Sequence, residues 1–269
     1  MKKSLSHHAS LLIASALTGS LFLSACSTTP GTASNGDIVV SIATTANIPR
    51  VGFLSDYERL KPMPGLDGML CWRNDKIDPK QYGKVQVAPI QVSIQPGKDQ
   101  STIDPGDIKA LTDYFHKSLV TAIQPTAQVV DKPGQGVLQL RFALTNLIPT
   151  DKARSATGTL IPYGFVAEAA SGPASGRPAG STPYLGETGM QVQFRDGATG
   201  VVVAECADIE VGRKYAANVD KGAAGATTAW VGGYMDSFTS WNYAKDAFDK
   251  WSTQFAQRFN TLRGIQAKP

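Results

Sequence analysis

From Val137 to Leu147 apolar and polar side chains alternate: Leu138, Leu140, Phe142 and Leu144 on one phase, Gln139, Arg141 and Thr145 on the other. A period of two sustained over this length marks a strand with one buried face. The chain therefore needs a sheet and an apolar layer to lay against it. Met190, Val192 and Phe194 alternate in the same way with Gln191, Gln193 and Arg195. The turn Asp196-Gly-Ala-Thr-Gly200 and the returning run Val201–Val211 then predict an antiparallel hairpin. Gln81–Gln95 reads as another strand, whose phase flips at Ala88-Pro89. Proline cannot donate to a ladder, so this strand is expected at a sheet edge or at a bulge.

Two stretches follow the helical period instead. Asp104-Pro-Gly-Asp-Ile is a helix start, with Asp104 as N-cap and Pro105 in the first position. Ile108, Leu111, Phe115, Leu119 and Ala122 then form one apolar stripe that stops before Pro125. At the other end of the chain, Trp241, Ala244, Phe248, Trp251, Phe255, Phe259 and Leu262 recur every three or four residues. Ser240 is the expected N-cap and Gly264 the stop. Lys245–Asp249 and Asp246–Lys250 are expected as opposite-charge pairs on its outer face. The aromatic stripe reads as core packing against the sheet. The fold class expected is α+β: a mixed or antiparallel sheet of about four strands, two helices on one face, in the order strand-helix-strand-strand-strand-helix.

The N-terminus carries a different message. Met1-Lys-Lys precedes an apolar run, Leu11–Leu17 and then Leu21–Leu23, broken at Thr18-Gly-Ser. It is shorter than the ~20 residues a spanning helix needs and reads as a signal segment. Leu23-Ser24-Ala25-Cys26 resembles a lipobox, in which small residues admit the peptidase and the Cys26 thiol takes the lipid. The expectation is a signal peptide over 1–25, a lipidated Cys26 with a flexible tether over 26–50, and one globular domain over 51–269. Acyl chains convert the expected membrane relation from spanning to anchored. Ser27 stands where Asp would signal inner-membrane retention in enteric bacteria, so the expected address is the outer membrane, periplasmic side. Ile38–Ile42 could be read as a short docked strand or as more tether.

Little else in the chain points to chemistry. The formal charge is +4, of which Lys2 and Lys3 supply two, and no run of Lys or Arg suggests nucleic acid. Of three cysteines, Cys71 and Cys206 remain outside the lipobox. In an oxidising compartment they are either a disulfide or two buried thiols. His116 lies beside the first helical stripe without a second histidine after the signal segment, so no metal site is expected. No nucleophile elbow, phosphate loop or zincin motif occurs, and Gly222-Ala-Ala-Gly225 lacks the Lys-Ser/Thr of a nucleotide loop. The Gly/Pro/Ala/Ser-rich loop 167–183 is long for a compact domain.

Gly52-Phe-Leu-Ser-Asp-Tyr57 with Leu60, Tyr82-Gly-Lys-Val, Phe194-Arg-Asp-Gly-Ala-Thr-Gly200 with Ala204, and Trp241-x-x-Ala with Ala247-Phe and Trp251 together resemble a bacterial lipoprotein family, domain-of-unknown-function family 3313. The resemblance runs from about Gly52 to Leu262; Cys71-Trp-Arg and Ile38–Ile42 fall outside it. It implies no catalytic residue and no cofactor. The element order is similar to that of small accessory lipoproteins of the outer membrane, a likeness of fold that does not imply function.

The function expected from these features is a non-catalytic accessory protein, anchored by acyl chains on Cys26, that binds another envelope protein. The alternative is a module binding a glycan or lipid, peptidoglycan or lipopolysaccharide, through the 158–185 loop, with apolar Leu160–Val166, or through Trp230–Phe238. A carboxylate-based glycan hydrolase is the remote third reading.

Overall fold

In the computed structural model the described residues are 38–94, 103–155, 171–178, 180–214 and 240–265. Cys26, Leu160–Val166, Gly222–Gly225 and Trp230–Phe238 lie outside them.

Three long strands make the middle of the sheet: β7 (Val137–Ile148), β8 (Glu187–Asp196) and β9 (Val202–Gly212), each antiparallel to the next. Their outer edges are shared by shorter pieces. β1 (Val39–Ser41) and β3 (Leu70–Arg73) both pair antiparallel with β9, at opposite ends of it, and β2 (Lys61–Pro62) closes on β3. On the far side β4 (Lys84–Val87) and β5 (Gln91–Val92) run parallel to β7, with β6 (Gln128–Val129) outside β4. Among the described residues the sheet has nine strands. The α+β class holds, but about four strands and two helices is an underestimate, and the expected strand-helix-strand-strand-strand-helix order is replaced by five strands before the first long helix and four between it and the last. The added strands are two to four residues long, too short to show a period, and each exists because a distant edge offers it hydrogen bonds.

Pro89 behaves as its chemistry requires. The expected single strand over Gln81–Gln95 is split into β4 and β5, which resume on β7 through Ala88 N–H to Leu140 O (2.9 Å) and Ser93 N–H to Leu144 O (2.8 Å). β4 itself is not an edge, since β6 covers it.

Helix α1 (Pro105–Ile123) begins with Asp104 accepting from Gly106 N–H at 2.7 Å, and α2 (Asn242–Arg263) ends on Gly264 at φ 75°. Trp241, not Ser240, occupies the N-cap position of α2, without a side-chain cap bond. Its indole N–H donates instead to Asp107 Oδ2 at 2.9 Å, joining the starts of the two helices. Further helical residues occur at 152–155 and 171–174. In the described part of the 167–183 loop, Ser181 and Thr182 are buried and Arg177 pairs with Glu187 at 2.7 Å, while residues 173–176 are exposed.

α1 and α2 lie together on one face. Phe115 stacks on Phe248 (4.6 Å between centroids) and meets Phe142 edge-on (5.0 Å), so helix, helix and β7 share one core. Leu138, Leu140, Phe142 and Leu144 all point into it. A register shift between Leu144 and Asn146 changes the alternation, which lets Leu147 reach the same core.

The other face was expected to be polar and open; it is covered. Ile48, Leu54 and Leu60 pack on Leu70, Ala207 and Ile209, and beneath this segment Gln191 and Gln193 are 0% and 1% exposed. Of residues 38–50, expected as tether with a docked strand left open at Ile38–Ile42, the docked strand is found: Val39–Ser41 pairs with β9, and Val39 is buried against Leu185 and Tyr243.

Candidate functional site

Three clusters set what the domain can do. The first lies under the covering segment. Glu205, fully buried on β9, accepts from Ser55 N–H (2.8 Å), the Ser55 hydroxyl, Gln193 Nε2 (2.7 Å) and Arg59 Nη2 (2.5 Å). The Arg59 guanidinium also stacks 3.4 Å from the centre of the Trp72 ring. Burial pushes the Glu205 carboxyl up, but the donors from Ser55, Arg59 and Gln193 together hold it below the usual range. Beside it, Gln191 takes the Tyr57 hydroxyl at 2.9 Å and gives its amide to Pro49 O at 2.5 Å. Every polar atom named here is spent on holding residues 49–59 to the sheet.

The second cluster sits between β9 and α2. Asp208 accepts from Trp251 Nε1 (2.8 Å) and the Ser41 hydroxyl (2.5 Å), and Glu210 pairs with Lys250 at 2.6 Å. Lys250 also binds Asp67. The expected Asp246–Lys250 surface pair is therefore replaced by a buried one. Asp249 likewise turns to α1, accepting from Tyr114 (2.8 Å) and Ser118 (2.6 Å), while Lys245 lies over the Tyr114 ring. Both departures have one cause: helix α1 and strand β9 bring partners that i,i+4 spacing does not show. Asp208 and Glu210 are the neighbouring carboxyls a hydrolase would need, yet each is 1% exposed and faces protein on all sides.

The third cluster is a space. Between α2, the central strands and residues 63–82 lies an apolar cavity of about 110 Å³. Leu66 and Met69 lie on the loop side, Met190, Val192 and Val203 on the sheet, and Phe255 and Phe259 on α2. Cys71 and Cys206 are joined by a disulfide and also line it, directly opposite each other in the β3–β9 register. Two arginines, Arg73 and Arg258, and Gln254 join the lining.

The sequence-derived candidates fall out as follows. Cys71 and Cys206 are together; Cys26 lies outside the described residues; His116 is exposed on α1 with α2 and the core on other sides. Among the described residues no group of three or more His, Cys, Asp or Glu is placed to hold a metal ion. Sequence reasoning missed Glu205, Asp208, Glu210 and Lys250. The signal was present: three acids at alternate or near-alternate positions in an otherwise apolar strand, and a lysine adjoining the Trp251 stripe. The residues that carried the family resemblance prove to be the ties of these clusters. Ser55 and Tyr57 bind Glu205 and Gln191, the Tyr82 hydroxyl reaches Asp196 of the turn at 3.0 Å, and Trp251 holds Asp208.

A family model described as a protein of unknown function, DUF3313, matches residues 49–255. No curated protein matches the chain. Among solved structures, the PelC dodecamer from Paraburkholderia phytofirmans is similar at 10% identity, covering 63% of this chain and 98% of that one, with a TM-score of 0.28. A DUF4136 family protein from Bacteroides thetaiotaomicron is similar at 14% identity over 64% of this chain and 98% of that one, with a TM-score of 0.25. Neither score is high enough for a shared fold to follow.

Proposed function

We propose, from the premise that this chain belongs to the DUF3313 family, that it is a non-catalytic binding lipoprotein of the bacterial envelope. Its lipid sits on Cys26, its body faces the periplasm at the outer membrane, and its ligand is an apolar group taken into the cavity beside α2. The observation that carries this reading is the cavity itself. Apart from Arg73, Gln254 and Arg258 its described wall is hydrocarbon, sulfur and aromatic ring, which suits a lipid rather than a glycan, whose hydroxyls would each lose a hydrogen bond there. Among the described residues the buried acids Glu205, Asp208 and Glu210 are tied to Ser55, Trp251 and Lys250. The described residues begin at Ile38, and the eleven residues between it and Cys26 can span at most about 40 Å in any conformation, a reach that keeps the body close to the membrane surface. An accessory role toward another envelope protein is compatible with that placement.

Two measurements test this. Labelled palmitate is expected in the wild-type chain and absent from Cys26→Ala; equal labelling would remove the anchor from the proposal. An environment-sensitive apolar dye is expected to bind the purified Cys26→Ala chain at one saturable site. Ala204→Trp, which fills the cavity from its β9 wall, is expected to weaken that binding at least tenfold while the far-ultraviolet circular dichroism is kept. Dye binding unchanged by Ala204→Trp would sink the cavity as the site.

A further inference from the structure

Among the described residues, the lining of the apolar cavity holds two cations, Arg73 and Arg258, and no Asp or Glu. Arg73 is paired with Asp75, whose side chain is 85% exposed, so that bond is a surface one of small worth. Arg258 is half-buried, and its described contact is Nη2 to Met63 Sδ at 3.8 Å, a thioether with little power to neutralise a guanidinium. One turn earlier on α2, on the same face, Gln254 presents a buried Oε1 that has no hydrogen-bond partner among the described residues. An amide can rotate by a half turn to offer its NH₂ at the same place. Among the described residues, a wall with a cation held only by a thioether and an unsatisfied amide oxygen beside hydrocarbon is built for a ligand with two ends.

Size decides which kind. A volume of about 110 Å³ is of the same order as the ~150 Å³ apolar cavity that admits benzene, room for one ring or one chain end. It takes the end of one chain and excludes the paired tails of a diacyl lipid. Resting on the apolar-cavity reading above, we infer that the site selects a single-chain carboxylate amphiphile, a medium-chain fatty acid, with its terminal carbons in the cavity and its carboxylate on Arg258 and Gln254. A guanidinium meeting a carboxylate next to an apolar wall forms a charge-assisted bond stronger than any the same ligand makes as an alcohol.

The test is a calorimetric titration of the full chain carrying Cys26→Ala, so that no acyl chain of its own competes. Decanoate is expected to bind at least tenfold more tightly than decanol, and Arg258→Gln to reduce that ratio to within twofold with the thermal midpoint kept. Arg258→Lys is expected to retain an intermediate preference, since a point charge replaces a fork. Equal binding of decanoate and decanol, or a preference that Arg258→Gln leaves intact, overturns the head-group assignment while the cavity reading stands. Failure of both ligands together with the dye overturns both. A short peptide with a C-terminal Phe carboxylate that binds where decanoate does not overturns the fatty-acid assignment in favour of a protein tail.

Discussion

Lys250→Met is expected to destabilise the fold by about 3–5 kcal/mol, the usual result of removing one partner from a buried ion pair. Lys250 is 4% exposed and its ammonium lies 2.6 Å from Glu210, with Asp67 as a second partner. Without it, two buried carboxyls on one strand face each other with no cation. Burial already pushes Glu210 well above the ordinary carboxylate range, the Asp208 charge adds to this, and Lys250 opposes it; Asp208 is raised by burial as well. A carboxyl whose folded value is raised contributes stability that is fully present below its unfolded value and is lost as pH rises through the folded one. Removing the cation raises both groups further, so the deficit grows with pH from about 4–5 upward. Urea unfolding of Lys250→Met should therefore show a larger loss at pH 8 than at pH 5. The double variant with Glu210→Leu should recover most of it, because the uncompensated charge goes with its partner. An equal loss at both pH values, with no recovery in the double variant, would contradict the buried pair.

Cutting the disulfide is the second large effect expected. Cys71 and Cys206 are 135 positions apart, and the chain-entropy account gives about 5 kcal/mol for a loop of that order, of which measured cases realise about 2–5 kcal/mol. The link also fastens β3, and the Met63–Met69 wall that precedes it, to the centre of the sheet. Cys71→Ala with Cys206→Ala is expected to lower unfolding free energy by that amount and to weaken dye binding in the cavity. Reductant should do the same to the wild type and nothing to the double variant. A wild type whose urea midpoint ignores reductant would show that the bridge carries no such load.

How far the chain could be read without its structure depended on whether a residue's neighbours were near in sequence. Leu138 to Leu144 pointed inward as their alternation required, and Asp104 and Gly264 capped the helices they bracket. The outward phase misled. Gln191 and Gln193 look like solvent-facing residues of a hairpin, and only the arrival of residues 48–60 on that face buries them. Lys250 looked like an outer-face helix residue for the same reason: Glu210, its true partner, is forty positions away. Buried polar side chains need partners, and those of Gln191 and Lys250 come from distant segments.

By itself, the sequence determined the local periods: one alternating strand, one hairpin and two amphipathic helices. Those follow from backbone geometry, which repeats every two or 3.6 residues whatever surrounds it. Tertiary structure alone decided that short pieces such as β1, β3 and β6 join the sheet, that the polar face is covered, that Cys71 meets Cys206, and that α2 stands off the sheet far enough to leave a cavity. Each of those depends on which edges and side chains meet across the chain, and no local repeat records such a meeting.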